Sequence, residues 1–400
     1  MKDMKRFLFV IAAALCLCAC GPKPVYSERF DTTDQQPFDI SVPVPDGNYL
    51  VTVTLGDSGR DALTTIKAES RRLCLMQEPT AKGQKKTLSF LVNKRDYHID
   101  AERDVRLKFR EDGKLDWNDM LDLEILGTPA VAKVVIRPAD KKVVTVFLCG
   151  DSTVVDQDNE PWASWGQMFP FFLDTKVAVA NYGESGERTD TFIGAGRLDK
   201  ILTQVQPGDY VLVEFGHNDM KLTGPDKNGF GFFADQLNIF IDRIQEHGAI
   251  PVMVTPTHRR NFDEEGHIIE THLDYPDGMR HVAATRGVTL IDLHDMSAEF
   301  YESLGPEGSK SAFVHYPAGS YPDMPFATAD NTHFNPFGAF ELARRMAKAF
   351  QAQIPELAGH IRNTDVQLDW VESPYRSLAR QLPEKDDAAS SEANSLRRNR

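Results

Sequence analysis

The chain has 400 residues, 41% hydrophobic and 26% charged, with a formal net charge of −14. That is more chain than one typical domain needs, with enough apolar residues for two cores. An acidic balance without a basic stripe argues against nucleic-acid binding and adsorption to anionic membranes.

The N-terminus carries an export pattern. Lys2, Lys5 and Arg6 precede an apolar run over 7–17 that is too short to span a bilayer and has the form of a secretory signal. It ends in Leu17-Cys18-Ala19-Cys20-Gly21, which resembles a bacterial lipoprotein cleavage box with Cys20 as the lipidated residue. A plain signal peptide cut nearby is the alternative. The expectation is a signal over 1–20 and an exported lipoprotein of the cell envelope, outer-membrane or periplasm-facing, that meets membrane through its anchor alone. Cys16 and Cys18 leave with the signal. Cys74 and Cys149 then remain, in strand-like segments, as small buried hydrophobes rather than a disulfide or metal pair.

Residues 21–36 are polar and aperiodic, and read as a tether. Over 37–139 the pattern is all-β. Tyr49-Leu50-Val51-Thr52-Val53-Thr54-Leu55 alternates after the turn signal Pro45-Asp46-Gly47-Asn48. Further strands are expected at 64–67, 73–77, 87–92, 105–109, 122–126 and 131–136. Short strands at this spacing predict a β-sandwich of jelly-roll type. Its aromatics Tyr97 and Trp117 suit either a carbohydrate site or a core, so the domain either binds glycan or packs as a spacer.

From residue 140 the period changes. Strands expected at 143–148, 177–180, 210–215, 251–255 and 289–292 alternate with helices at 165–173, 191–204, 233–247 and 274–286. A last helix over 336–351 has Asn335 at its N-cap and Pro336 at its first position. This alternation predicts a parallel sheet with helices on both faces over 140–369. The Ser-, Glu- and Arg-rich stretch 370–400 reads as a disordered tail.

Three strand ends carry unusual residues: Gly150-Asp151-Ser152-Thr153, then Gly183-Glu184-Ser185-Gly186-Glu187-Arg188, then Glu214-Phe215-Gly216-His217-Asn218-Asp219. Strands of one parallel sheet end on one edge, where open α/β sheets place their ligands. A hydroxyl (Ser152), a backbone N–H (Gly186) and a side-chain amide (Asn218) therefore meet around one point. Acyl transfer needs such a set: a nucleophile, and donors aimed at the developing oxyanion. The base is expected at Asp330-Asn331-Thr332-His333. In a tight turn before the last helix, Asp330 can hold the imidazole Nδ1–H while Nε2 faces Ser152.

These four blocks resemble those of SGNH (GDSL-type) hydrolases, specifically the rhamnogalacturonan acetylesterase branch, over about 143–350. The resemblance implies a flavodoxin-like three-layer αβα domain. It makes Ser152 the nucleophile, His333 the base and Asp330 its orienting partner, with the oxyanion hole formed by the Ser152 and Gly186 N–H groups and the Asn218 side chain. It further implies removal of O-acetyl groups from a plant-type polysaccharide such as pectic rhamnogalacturonan or xylan. One departure stands out: the family commonly has Gly-Arg-Ser where this chain has Gly186-Glu187-Arg188. The backbone donor survives the change, but contacts to the sugar differ. Absence of Gly-x-Ser-x-Gly around Ser152 argues against the α/β-hydrolase alternative.

Other residues divide between two readings. Asp151 serves better as turn support than as catalyst. Trp162 and Trp165 suit sugar stacking or core packing, and His217 suits substrate contact or a structural hydrogen bond. His258 and Arg259, with Arg260, suit pairing with a uronate carboxylate or a solvated loop. His315 and Tyr316 line the cleft or stabilise a loop. The chemistry calls for no cofactor, and no metal is expected: Asp226-Lys227-Asn228-Gly229 looks faintly like a calcium loop but lacks the downstream Glu of an EF-hand. Competing functions are acyl hydrolysis of lipid or thioester by the same fold, and a glycan-binding lipoprotein without activity.

Overall fold

Two folding units share one buried seam in the computed structural model, which describes residues 22–321 and 324–366. The signal with Cys20 and the tail 370–400 lie outside the described residues. In the first unit, strands β1 (Tyr26–Arg29), β8 (Val131–Pro138), β3 (Gly47–Leu55) and β6 (Lys86–Lys94) form one antiparallel sheet in that order. Strands β2 (Phe38–Pro43), β7 (Met120–Thr128), β4 (Ala62–Ala68) and β5 (Arg72–Thr80) form the other. These two strand orders are those of an eight-stranded jelly roll. The alternation in β3 works as expected: Val51, Val53 and Leu55 turn inward against Ile66, Leu123 and Ile136.

Two sequence expectations fail here. Residues 26–29, inside the supposed tether, pair antiparallel with β8 as an edge strand. Their side chains are mostly exposed, so no hydrophobic period marks them. Residues 105–109 form no strand; they belong to a long β6–β7 connection with short 3₁₀ turns at Phe109–Glu111 and Leu115–Trp117.

The second unit is a parallel sheet in the order β10 (Val177–Asn181), β9 (Val144–Gly150), β11 (Tyr210–Glu214), β12 (Ile250–Val254), β13 (Thr289–Ile291). This is the 2-1-3-4-5 order of flavodoxin-like sheets. Alternate residues of β9 face opposite layers, which is why the strand is apolar throughout. Val146 and Leu148 pack against Trp165, Phe169 and the helix Pro336–Gln353. Phe147 and Cys149 pack against Phe192, Ile201 and the helix Phe232–Glu246. Cys74 and Cys149 are free and buried, as expected.

Several helices differ from expectation. The 165–173 segment is a short helix, Trp165–Met168, continued by a 3₁₀ turn, because Pro170 lacks the N–H an α-helix would use. Gly196, at φ +79°, splits 191–204 into Thr189–Gly194 and Arg197–Gln204. The helix Leu293–Gly308 has no counterpart in the sequence reading; it starts directly after β13, and its apolar period is broken near its end by Gly305-Pro306.

The seam between the units is polar and buried. Arg72 donates to Asp156 Oδ2 at 2.6 Å, to Asp116 Oδ1 at 3.1 Å and to the Asn93 carbonyl at 2.7 Å. Gln167 donates to the Ser70 carbonyl, and Asn48 to Thr145 Oγ1, each at 2.8 Å. Removing one member of a buried ion-pair network leaves the others charged without a partner. Arg72→Ala should therefore lower the unfolding free energy by about 3–5 kcal/mol, read by denaturant titration. A change below about 1 kcal/mol, the scale of an exposed ion pair, would contradict a desolvated seam.

Candidate active site

Gly150 ends β9 where nothing larger fits. A Cβ there would lie 2.4 Å from Val154 Cγ2 and 3.1 Å from the Glu214 carbonyl oxygen. The chain can thus turn sharply and leave Ser152 at the carboxyl edge of the sheet. Asp151 Oδ1 accepts the Thr153 N–H at 3.1 Å, and its Oδ2 accepts from Asn218 Nδ2 at 3.2 Å. Asp151 is therefore the support the sequence suggested.

His333 Nε2 lies 2.9 Å from Ser152 Oγ, and His333 Nδ1 lies 2.7 Å from Asp330 Oδ2. Asp330 Oδ1 also accepts the N–H groups of Thr332 and His333, at 2.8 and 3.0 Å. Burial pushes the Asp330 carboxyl up, but hydrogen bonds and charge from His333, with the two backbone donors, outweigh it and hold the pKa down at about 2. The ionised carboxylate accepts Nδ1–H, so Nε2 is left as the acceptor facing Ser152. These residues lie not in a pre-helical turn but in β15 (Thr328–Phe334), paired with β14 (Phe313–Tyr316). Phe313 pairs with Phe334 and His315 with Ala329, so residues 330–333 stand opposite Val314 alone. That bulge turns Asp330 and His333 toward the sheet edge.

Gly186 has φ +75°, a left-handed conformation suited to glycine. Among the described residues, neither its N–H nor that of Ser152 has a hydrogen-bond acceptor in the protein. The Asn218 amide is engaged by Asp151 and by the Glu187 carbonyl at 3.0 Å, and its Oδ1 accepts from Lys221 Nζ at 2.7 Å. Two backbone donors therefore stand open at the edge, while the side-chain donor must exchange a partner to join them.

The departure at Glu187 has a physical reason. Glu184 and Glu187 are both buried, and the β6–β7 connection of the sandwich supplies their counter-charges. Lys108 Nζ lies 2.6 Å from Glu187 Oε1 and donates to the Ser185 carbonyl at 2.8 Å. Arg110 Nε lies 2.5 Å from Glu184 Oε1, and Arg110 also donates to the Ser185 carbonyl. Basic residues at 106, 108 and 110 are the signal that could have revealed this brace. Phe109, between two of them, is 87% exposed. Trp117, by contrast, is a core residue that donates to Glu111 Oε1 at 3.0 Å.

Several candidates turn away from substrate. Trp165 is 0% exposed and donates to Glu214 Oε2. Burial pushes that glutamic acid up to about 8, with Asp151 adding to the shift. Core packing, not sugar stacking, is its role. His217 is 3% exposed, its ring edge-on to His272 at 4.5 Å, and among the described residues its ring nitrogens make none of the hydrogen bonds suggested for it. His258 is buried and stacked on His294, with ring centroids 3.5 Å apart. Arg259 donates to the His217 carbonyl at 3.2 Å and the Thr271 carbonyl at 3.3 Å, so it braces a loop rather than facing a uronate. Arg260 and His315 both hydrogen-bond Asn331 Oδ1, steadying the bulge. Trp162 is half-buried against the cluster of Val314, Tyr321 and Met324 beside that hairpin.

A 2-1-3-4-5 sheet with a Ser–His–Asp hydrogen-bonded chain at its carboxyl edge defines an SGNH-type hydrolase domain. The GDSL-like lipase/acylhydrolase family matches residues 148–339. The rhamnogalacturonan acetylesterase RhgT of Bacillus subtilis is 40% identical over 223 residues, 55% of this chain and 95% of that protein. The rhamnogalacturonan acetylesterase of Emericella nidulans is 26% identical over 227 residues, 51% of this chain and 84% of its own. The crystal structure of Bacillus subtilis YxiM, 25% identical, covers 81% of this chain and 82% of its own with a TM-score of 0.47. The chain belongs to the GDSL-like lipase/acylhydrolase family, in its rhamnogalacturonan acetylesterase-like branch.

Two predictions follow from the geometry. The Asp330 pKa is depressed from 3.8 to about 2, so its stabilising effect is complete above about pH 4 and is lost as pH falls through about 2. The melting-temperature gap between wild type and Asp330→Asn should be widest near neutrality and close in acid; a gap that widens in acid contradicts the assignment. Exchanging both Lys108 and Arg110 for Met should lower kcat/KM for an ester substrate about ten- to hundredfold, through a displaced Gly186 loop, with the far-UV circular dichroism unchanged.

Proposed function

We propose that the chain is a carbohydrate esterase that removes O-acetyl groups from plant cell-wall polysaccharide, with pectic rhamnogalacturonan as the leading substrate. The observation that carries the reading is the Ser152–His333–Asp330 chain, with contacts of 2.9 and 2.7 Å. The branch of the family supports the substrate class. Ser152 Oγ attacks the acetyl carbonyl carbon as its proton passes to His333 Nε2. The Ser152 and Gly186 N–H groups, joined by Asn218, receive the oxyanion. His333 returns the proton to the departing sugar hydroxyl, leaving acetyl on Ser152. Water, deprotonated by His333, then releases acetate and restores the serine. Asp330 stabilises the transient imidazolium without taking its proton. In this reading Cys20 anchors the enzyme to the cell envelope, supported by the basic and apolar pattern before it.

The direct test is acetate release from acetylated rhamnogalacturonan, homogalacturonan and xylan. Ser152→Ala should lower release by about four orders of magnitude or more while the protein stays folded. Near-normal turnover in that variant defeats the nucleophile assignment. Silence on all three polymers with rapid cleavage of long-chain esters moves the protein to a lipid acyl hydrolase.

A further inference from the structure

Four side chains from three separate segments meet behind the sheet edge: His258 after β12, Glu270 and His272 on the following loop, and His294 in the first turn of the helix Leu293–Gly308. One donor atom from each lies within 4.8 Å of the other three. The three imidazoles are buried and Glu270 is half-exposed.

The hydrogen bonding of His294 is the informative detail. Its Nδ1 lies 2.7 Å from the Pro256 carbonyl oxygen and its Nε2 lies 2.6 Å from Glu270 Oε2. Both neighbours are acceptors. A neutral imidazole has one N–H and can satisfy only one of them. Either the ring is an imidazolium, or a cation sits between Nε2 and the carboxylate. A ligating histidine that donates its other N–H to a backbone carbonyl is the arrangement metal sites use to fix the tautomer. Independently, His258 Nδ1 and His272 Nδ1 are buried nitrogens without a hydrogen-bond partner among the described residues. Such orphans are costly, and a shared ion would satisfy them.

We propose that His258, Glu270, His272 and His294 form a binding site for a divalent transition-metal ion of the zinc class. Three imidazole nitrogens and one carboxylate oxygen make a closed four-ligand set, the form of a structural rather than a catalytic site. Zinc bonds of about 2.0–2.1 Å place ligand atoms about 3.3 Å apart, so closing the cage requires the side chains to re-seat and the stacked His258 and His294 rings to separate. The donor set of nitrogen with a single oxygen disfavours calcium and magnesium. The exposed edge of Glu270 provides entry from solvent. The ion would pin the 256–272 loop, whose Arg259 and Arg260 hold the His217 carbonyl and Asn331 beside the Asn218 and His333 segments. This runs against the expectation, drawn from sequence, that the chain holds no metal.

The test uses the full chain, stripped with a chelator and equilibrated with zinc chloride alone. Bound zinc is read by elemental mass spectrometry and affinity by calorimetry, in both wild type and Ser152→Ala so that the outcome does not depend on esterase activity. About one zinc per chain is expected, with a higher melting temperature than the stripped protein. Glu270→Gln, on a half-exposed side chain that folding tolerates, should weaken zinc affinity at least about tenfold, and His258→Ala with His294→Ala should abolish it. Zinc that stays unbound by wild type, or that the variants bind as tightly, overturns the proposal and leaves His294 as an imidazolium paired with Glu270.

Discussion

The 2.9 Å contact between His333 Nε2 and Ser152 Oγ joins residues 181 positions apart, and most of the architecture around it sets that distance. One end is fixed by β9, buried on both faces and turned at Gly150, where even a methyl group would strike Val154. The other is fixed by a bulge in a two-stranded hairpin, where four residues of β15 stand opposite one of β14. Neither end is held by charge alone. Asp330 adds the orientation: it grips the imidazole at Nδ1 and, through its other oxygen, the backbone that carries the same histidine.

The sandwich is part of this arrangement. Its β6–β7 connection reaches across to neutralise Glu184 and Glu187, two buried carboxylates that would otherwise oppose closure of the Gly186 loop. Arg197, fully buried, joins the same network through Glu111. The Glu187 that departs from the family pattern is thus matched by Lys108 within one chain. An exposed Phe109 stands between the two basic residues that brace this loop.

Legibility in the sequence followed the strength of local patterns. The β9, β10, β11 and β12 strands were readable as apolar runs, and the Gly-Asp-Ser, Gly186 and His-Asn-Asp blocks as polar ends of such runs. Their convergence followed from topology. The Asp-x-x-His pair was readable as a contact, but its bulged strand was not, because a register shift leaves no mark on four polar residues. Strand β1 was missed since an edge strand with exposed side chains has no hydrophobic period. The basic alternation at 106–110 looked like a strand, yet its order serves electrostatics across a seam. His258 was read with Arg259 and Arg260 as a uronate contact or a solvated loop; its partners at 270, 272 and 294 are brought to it only by tertiary folding.

The central claim is that Ser152 carries the acyl group. The most direct measurement is intact-mass and peptide mapping of the enzyme, acid-quenched during turnover of an acetylated oligosaccharide. The account predicts an added mass of about 42 Da, one acetyl group, confined to the peptide bearing Ser152 and absent from Ser152→Ala. Turnover with the acetyl group on another residue, or an equal adduct in the variant, would contradict it.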